Sequence, residues 1–382
     1  MRPLVYDRRR ATSRDRIVST QPIVEDPART RYSHTREDLG TLLAAWNEPR
    51  FRAAQLFEGL YSHRSPLEDI TTLPQVLRDR LETKLPLALH PDLKQTARDG
   101  LTTKWLWRCN ADGVQVESVL MRSPNRAAVC VSSQAGCAMA CTFCATGQAG
   151  FSRHLSAVEI FEQVVRAQHE SPQRVGNVVY MGMGEPLANY EPVWESVERI
   201  HGDLGISARH ITISTVGLAP AIRRLATEAL PVTLAVSLHA PSDDLRAKLV
   251  PLNRRYPIAE LLDAAREFAA SKSRRVTFEY ACVSHVNDEP HHGDELGRLL
   301  RGFGGAGGTH VNVIPLNPTS GFGGQTPSLL RVQAFAARIR LAGITTTIRA
   351  NRGVDIDAAC GQLRSREATR RDEGAPSVTM VE

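Results

Sequence analysis

A chain of 382 residues, 42% hydrophobic and 23% charged, is long enough for one large α/β domain plus a small companion, and it has no apolar run that would span a bilayer. Seven cysteines, three of them clustered, fit a reduced compartment and metal chemistry better than a disulfide framework; the charged start at Met1 lacks the apolar core of a secretory signal, so a cytoplasmic protein is expected. Lysine and arginine number 47, with arginine in large excess and a net charge of +6, which suits a nucleic-acid partner and equally suits a GC-rich coding sequence.

Residues 1–35 mix Arg, Ser, Thr, Asp and Pro without apolar periodicity and read as a flexible basic arm. From 36 to 98 the apolar residues recur at helical spacing: Leu39, Leu42 and Leu43, then Phe51, Leu56, Leu60 and Tyr61, then Leu77, Leu81 and Leu85. They predict a small all-α accessory domain whose last helix opens at Thr71-Thr72-Leu73-Pro74. Arg50, Arg52 and Arg64 flank its second helix as candidate phosphate contacts, although each taken singly reads more safely as solvated surface. A β-hairpin extension follows at 99–122, two alternating runs joined by Asn110-Ala111-Asp112-Gly113, with Glu117 on its second strand.

Residues 123–363 alternate between two kinds of segment. Candidate strands lie at 127–133, 177–183, 210–215, 232–239, 275–283, 309–316 and 345–350, with amphipathic helices at 156–169, 220–229, 258–270, 294–303 and 328–342. Repeated βα units with Val/Ile-rich strands imply a parallel sheet covered on both faces, curled into a partial (β/α) barrel of about six units with function at the strand C-terminal ends. Several polar motifs obey that expectation. Gly182-Met183-Gly184-Glu185-Pro186 ends the second strand, Ser214 the third, Ser237-Leu238-His239 the fourth and Asn317 the sixth. One of these alone would read as a loop cap, but their shared placement marks a rim.

The most specific stretch runs from Cys130 to Cys144. Cys137, Cys141 and Cys144 have a Cys-x3-Cys-x2-Cys spacing, so one short loop aims three thiolates at a [4Fe–4S] cluster and leaves one iron open for chemistry. A structural zinc is the rival reading; it wants four closed ligands, and no second pair lies nearby. Cys109 and Cys282 stand singly and read as buried core thiols. Cys130, near the end of the first strand, and Cys360, after the last, should both project to the rim, where redox or covalent work is expected of them. Residues 364–382 read as a disordered charged tail.

Taken together, Cys-Val-Ser-Ser-Gln-x-Gly-Cys-x3-Cys-x2-Cys, Gly-Met-Gly-Glu-Pro, Ser-Leu-His-Ala-Pro and Asp-Ile-Asp-Ala-Ala-Cys-Gly-Gln-Leu resemble the radical S-adenosylmethionine (radical-SAM) 23S rRNA adenine-C2 methyltransferases, from the helical domain through Cys360. The resemblance implies an α/β fold: a partial (β/α)6-type radical-SAM barrel with a small N-terminal all-α domain and a β-hairpin extension. It implies cluster ligation by Cys137, Cys141 and Cys144, and a SAM pocket of Gly184, Glu185, Ser214, Ser237, Leu238, His239 and Asn317. Cys360 would carry the methyl, Cys130 would resolve the adduct and Glu117 would accept a proton. The implied cofactors are a [4Fe–4S] cluster and two SAM per turnover. The implied partners are 23S rRNA and tRNA, an electron donor such as flavodoxin or ferredoxin, and a thiol reductant that resets a disulfide; a monomer with no membrane association is expected. Three rival functions stay open at this point: adenine-C8 methylation, which confers antibiotic resistance; glycyl-radical activation of a partner protein; and non-catalytic RNA binding by an iron–sulfur assembly factor.

Overall fold

The antiparallel hairpin and the parallel βα series merge into one continuous sheet. A computed structural model describes residues 29–303, 308–349 and 353–363. The N-terminal segment forms α1 (Arg36–Ala45), α2 (Phe51–Phe57) and α3 (Gln75–Lys84). Thr35 and Asp38 cap α1 reciprocally, and Leu39, Leu43, Leu56, Leu77 and Leu81 bury the predicted stripes.

Order begins before the expected boundary. Tyr32, placed in the flexible arm on sequence grounds, is fully buried with its ring against Tyr61 and Phe161, and Arg31 donates to the Leu85 carbonyl and to Glu82. An apolar pair supplied by distant elements fixes this segment, and local polarity does not reveal it. Residues 1–28 of the expected arm and the expected tail at 364–382 lie outside the described residues.

A strand, β1 (Leu89–Thr96), occupies the end of the segment expected to be helical. It pairs antiparallel with β2 (Thr102–Cys109), which pairs antiparallel with β3 (Gln115–Ser123) as predicted. β3 in turn pairs antiparallel with β4 (Arg126–Cys130). Next come the ribbon β5 (Gln134–Gly136) and β6 (Phe151–His154), with the short α4 (Ala145–Gln148) between them. The series continues with α5 (Ala157–His169), β7 (Val175–Tyr180), α6 (Tyr190–Gly202), β8 (Ile211–Thr215), α7 (Ala219–Thr227) and β9 (Thr233–Ser237). It closes with α8 (Asp243–Leu249), α9 (Ile258–Lys272), β10 (Val276–Cys282), α10 (Pro290–Leu300), β11 (Thr309–Pro315), α11 (Leu329–Leu341) and β12 (Thr345–Ile348).

The main sheet has ten strands in the order β1-β2-β3-β4-β7-β8-β9-β10-β11-β12, parallel from β4 onward. Residues of β3, β4 and β11, with Arg349 just after β12, line one cavity with residues of β7 to β10, so the sheet curls into a partial barrel. Ser156 and Glu159 box the start of α5, and Glu162 on the same helix accepts from the backbone amides of Ala88 and Leu89, fastening β1 to the barrel wall. No helix among the described residues is long and apolar enough to cross a membrane.

Candidate active site

The ribbon β5–β6 frames the cysteine loop. The Cys137 amide donates to the Gly150 carbonyl at 2.7 Å and the Cys144 amide to the Cys141 carbonyl at 3.1 Å, which folds the three cysteines into one tight turn. Burial pushes the Cys137 thiol up to about 12 and raises Cys141 well above its ordinary value, and neighbouring cysteines add to both shifts. A metal held by these thiols must displace their protons. Among the described residues no three His, Cys, Asp or Glu side chains converge on a single ion. A polynuclear cluster takes each thiolate on a different iron, so three cysteines in one turn suit it by number and kind of ligand.

Opposite the loop, the strand ends supply the predicted rim. Cys141, Cys144, Gly184, Glu185, Ser214, Ser237, His239, Asn317 and Cys360 line one cavity. Gly184 sits at φ +102°, and a Cβ there would come within 2.6 Å of the Gln134 side chain, so only glycine lets the turn close. The Glu185 carboxylate is internal: Oε1 accepts from the Leu187 amide and Oε2 from the Val216 amide, tying the end of β7 to the end of β8. Burial raises this carboxyl to about 7 against those two amides. His239 is neutral, lowered to about 3 by burial and then by Arg246; its Nδ1 accepts from the Ala281 amide, and its ring stands edge-on to Phe143 at 4.8 Å. Leu238 is fully buried and is absent from the cavity lining; its carbonyl belongs to the brace described next.

That brace is Arg246, which the sequence reading missed. It is 1% exposed and donates to the carbonyls of Leu238, Val216 and Ser237 and to Asn253 Oδ1, stapling the β8 and β9 rim turns together. Burial lowers it to about 10, and the Cys141 thiol is its largest favourable electrostatic neighbour. In the sequence nothing separates it from the many arginines on the surface. Gln134 escaped notice in the same way: its Oε1 accepts from the Glu185 amide.

Cys360 hangs over this floor from the segment after β12. Its surface faces cavities, while the surrounding protein raises the thiol by burial, with Arg349 pulling in the opposite direction. Asn317 Nδ2 donates to the Cys360 carbonyl at 3.0 Å, and the Ala145 amide to Gly361 at 2.8 Å. Asn317 Oδ1 is buried without a partner, an acceptor available to a ligand in the same cavity. Cys130 is buried at the end of β4; burial and then Cys360 push it up to about 12, which puts the two sulfurs within electrostatic reach. All the described cysteines are free thiols.

Glu117 is placed differently from the other candidates. It lines neither cavity that reaches Cys360; it is 2% exposed and paired with Lys104 at 3.1 Å. Lys104 Nζ also donates to the Asp357 carbonyl, so the pair braces the Cys360 segment from behind. In the helical segment, Arg64 is buried and donates to Gln168 and the Leu204 carbonyl, which removes it from a phosphate-binding face. Arg52 reaches the Thr72 carbonyl, and Arg50 stays exposed.

Residues 131–293 match the radical SAM superfamily. The chain is 50% identical over 342 residues to a probable dual-specificity RNA methyltransferase RlmN of Salinispora tropica, covering 86% of this chain and 90% of that one. A protein of the same description from Mycolicibacterium paratuberculosis is 49% identical over 358 residues, covering 91% and 98%. Among solved structures, a radical SAM methyltransferase from Sphaerobacter thermophilus superposes with a TM-score of 0.81 at 48% identity, covering 88% of this chain and 99% of that one. With a cysteine loop, a strand-end rim and an overhanging Cys360 already in place, these near full-length likenesses mean that the chain belongs to the RlmN-type dual-specificity RNA methyltransferases, SAM-dependent enzymes of the radical SAM superfamily that use a [4Fe–4S] cluster.

Proposed function

We propose that the chain methylates C2 of an adenine in 23S rRNA and of an adenine in a tRNA anticodon arm, with Cys360 as the methyl carrier. The observation that carries this reading is Cys360 overhanging a cavity shared with Cys141, Cys144 and the rim residues. Adenine C2 lies between two ring nitrogens and is electron-poor, so direct transfer from the sulfonium of SAM fails and a carrier is needed.

Cys137, Cys141 and Cys144 would hold the cluster. Gly184, Glu185, Ser214, Ser237, His239 and Asn317 would hold SAM, with Leu238 behind them. Here Glu185 acts through the turn its carboxylate fixes, and Asn317 through its unpartnered Oδ1. The Cys360 thiolate takes a methyl from a first SAM by displacement, releasing S-adenosylhomocysteine. A bound cluster would supply the electron for splitting a second SAM into methionine and a 5′-deoxyadenosyl radical, to which the Cys360 methyl would give up a hydrogen. The Cys360 methylene then bonds to C2, joining protein and RNA. Return of one electron to the cluster and loss of the C2 proton, to a base for which the family resemblance offers Glu117, paired with Lys104 behind the Cys360 segment, would make the adduct aromatic again. Cys130 thiolate attacks the Cys360 sulfur, the carbon–sulfur bond breaks, and the base leaves with its new methyl after taking a proton. A Cys130–Cys360 disulfide remains, for cytoplasmic thiols to reduce.

A stacked base cannot enter such a cavity, so the adenine must be flipped out of its strand. The helical segment and the basic N-terminal arm act as RNA clamps, a flavodoxin or ferredoxin supplies electrons, and the enzyme works as a cytoplasmic monomer.

The test is anaerobic reaction of the reconstituted protein with methyl-deuterated SAM and unmodified 23S rRNA fragments, read by nucleoside mass spectrometry. C2-methyladenosine retaining two of three deuteriums, with the third in 5′-deoxyadenosine, is the expected result. C8-methyladenosine would move the chain to the sister activity, and retention of all three deuteriums would overturn the Cys360 route.

A further inference from the structure

A buried charge ordinarily has a charged partner. Two of the buried cations follow that rule: Lys104 is paired with Glu117 at 3.1 Å and Arg31 with Glu82 at 2.6 Å. Arg246 departs from it. Its hydrogen bonds go to neutral acceptors, the carbonyls of Val216, Ser237 and Leu238 and the Asn253 amide oxygen, and it has no ion-pair partner among the described residues. The carboxylate in this network, on Asp243, is held one amide away: Asn253 Oδ1 accepts from Arg246 at 2.9 Å, and Asn253 Nδ2 donates to Asp243 Oδ1 at 2.9 Å. Arg64 also caps a carbonyl without a carboxylate, so bracing alone can bury a guanidinium. What singles out Arg246 is what lies beyond its carbonyls.

Val216 and Ser237 line the cavity together with Cys141 and Cys144, so the guanidinium stands one peptide layer behind that wall. The helix that carries it, α8, is itself fastened to the cysteine loop: the Thr142 amide donates to the Leu249 carbonyl at 3.0 Å, and Leu249 packs in one apolar cluster with Cys141 and Phe143. The electrostatics agree from both sides. Cys141 outranks Asp243 as the neighbour that favours the charged arginine, and Arg246 pulls the Cys141 thiol down against burial, Cys144, Cys137 and Glu185. Burial lowers Arg246 only to about 10, so the group keeps its charge at neutral pH. Thiols that hold their protons do not neutralise it. A cube-type cluster on three thiolates is an anion, and an added electron makes it more negative. In a water-poor interior that charge and a guanidinium attract strongly.

We propose that Arg246 is the built-in counter-ion of the iron–sulfur cluster, raising its reduction potential so that a one-electron carrier protein can reduce it. One electron leaves the carrier and one reaches the cluster; no bond forms or breaks, and no proton moves, because the arginine stays protonated in both states. Arg246 lines neither cavity that reaches Cys360, so it acts through its field and not by contact with SAM or the base. The inference rests on the reading of Cys137, Cys141 and Cys144 as cluster ligands and adds to it a charged residue outside the ligand set.

The experiment is a potentiometric titration of full-length reconstituted protein, without RNA, followed by the electron paramagnetic resonance signal of the reduced cluster. Arg246→Gln, which keeps donors and loses the charge, should make the cluster about tenfold harder to reduce, a fall in midpoint potential of about 59 mV for one electron. Arg246→Lys, which keeps the charge and loses the planar fork, should stay near the wild-type potential although its stability falls. Asn253→Ala cuts one bond of the brace with the charge in place and should leave the potential unchanged. A wild-type potential in Arg246→Gln overturns the proposal, and so does an Arg246→Lys potential as low as that of Arg246→Gln, since the bracing and not the charge would then matter. Should Arg246→Gln not fold, reduced-minus-oxidised infrared spectra of wild type carrying arginine isotope-labelled at the guanidino carbon decide: a label-sensitive guanidinium band that Arg246→Lys removes is expected, and its absence in wild type overturns the proposal. If wild type takes up no iron–sulfur cluster at all, the ligand reading falls and this assignment with it.

Discussion

The floor of the active site and the arm that carries Cys360 are held by different kinds of bond. On the floor, buried side chains reach across neighbouring strand ends: Arg246 spans the turns after β8 and β9, Glu185 joins β7 to β8, and Asn287 Nδ2 joins the His239 carbonyl to that of Ala281. The arm is tethered mostly through its own backbone, by Asn317 to Cys360, Lys104 to Asp357, Ala145 to Gly361 and Thr146 to Leu363. Val354, ahead of these tethers, and Cys360 remain exposed. Single bonds to an exposed segment open at lower free energy than a buried network. The floor is thus the more rigid of the two, and the proposed function asks the arm to bring one sulfur to methyl donor, base and resolving thiol in turn.

The largest effects should come from atoms that take part in the chemistry. Cys141→Ser removes a proposed cluster ligand, and the iron–sulfur absorbance and all methyl transfer should disappear together. Cys360→Ala removes only the proposed carrier; methylation should vanish while the cluster spectrum stays at wild-type intensity. An active Cys360→Ala enzyme would end the proposed role of the arm.

Next come the braces. Arg246→Met leaves the buried carbonyls of Val216, Ser237 and Leu238 without their donor and should cost about 3 kcal/mol or more in denaturant unfolding. Lys should restore only part of this, because a point ammonium cannot replace a planar fork. Lys104→Met should cost about 3–5 kcal/mol by stranding buried Glu117, and adding Glu117→Met should recover most of the loss. Asn317→Ala cuts a tether from the rim to the arm: it should change stability by only about 1 kcal/mol but lower kcat several-fold, since the Cys360 carbonyl loses its donor and the proposed SAM pocket an acceptor. Equal stability losses for Arg246→Met and Asn317→Ala would erase the distinction between floor and arm.

Sequence showed the floor's position better than its fastening. The strand-end motifs were legible because period-two alternation and punctuating Gly, Pro and Ser place each motif at the end of a strand, and Ser156 announced α5 as a helix cap. β1 was illegible because it is an edge strand, exposed along nearly all of its length and interrupted at Pro91, so it has no apolar alternation to read. Arg246 and Arg64 were illegible for another reason. Their burial depends on carbonyls contributed by turns and helices far along the chain, and an arginine codon reads the same whether it caps three carbonyls or meets water. The chamber beneath Cys360 was not read at all: its Thr and Asn stand on strands taken as Val/Ile-rich, and only the curl of the sheet brings them around one space.

The smallest effect tests whether the floor's bracing pattern is a property of the fold rather than of the site. Glu162 repeats the Glu185 arrangement far from Cys360: one buried carboxyl accepts two backbone amides, here Ala88 at 2.8 Å and Leu89 at 3.1 Å. Burial raises it to about 7 from an ordinary 4.5, against the pull of those amides. Between those two values the native protein keeps a proton that the unfolded chain has released, so the group's contribution to stability is complete below pH 4.5 and is lost as pH rises through 7. Glu162→Gln cannot titrate. The stability margin of wild type over this variant should therefore shrink on going from pH 5 to pH 8, by at most ~1.4 kcal/mol per unit, in paired denaturant titrations. Buried His169, lowered to about 4 by burial, drives the opposite trend in both proteins and cancels from the difference. A margin that stays flat or widens with pH would mean that the two amides outweigh burial, and the same correction would then apply to Glu185 on the floor.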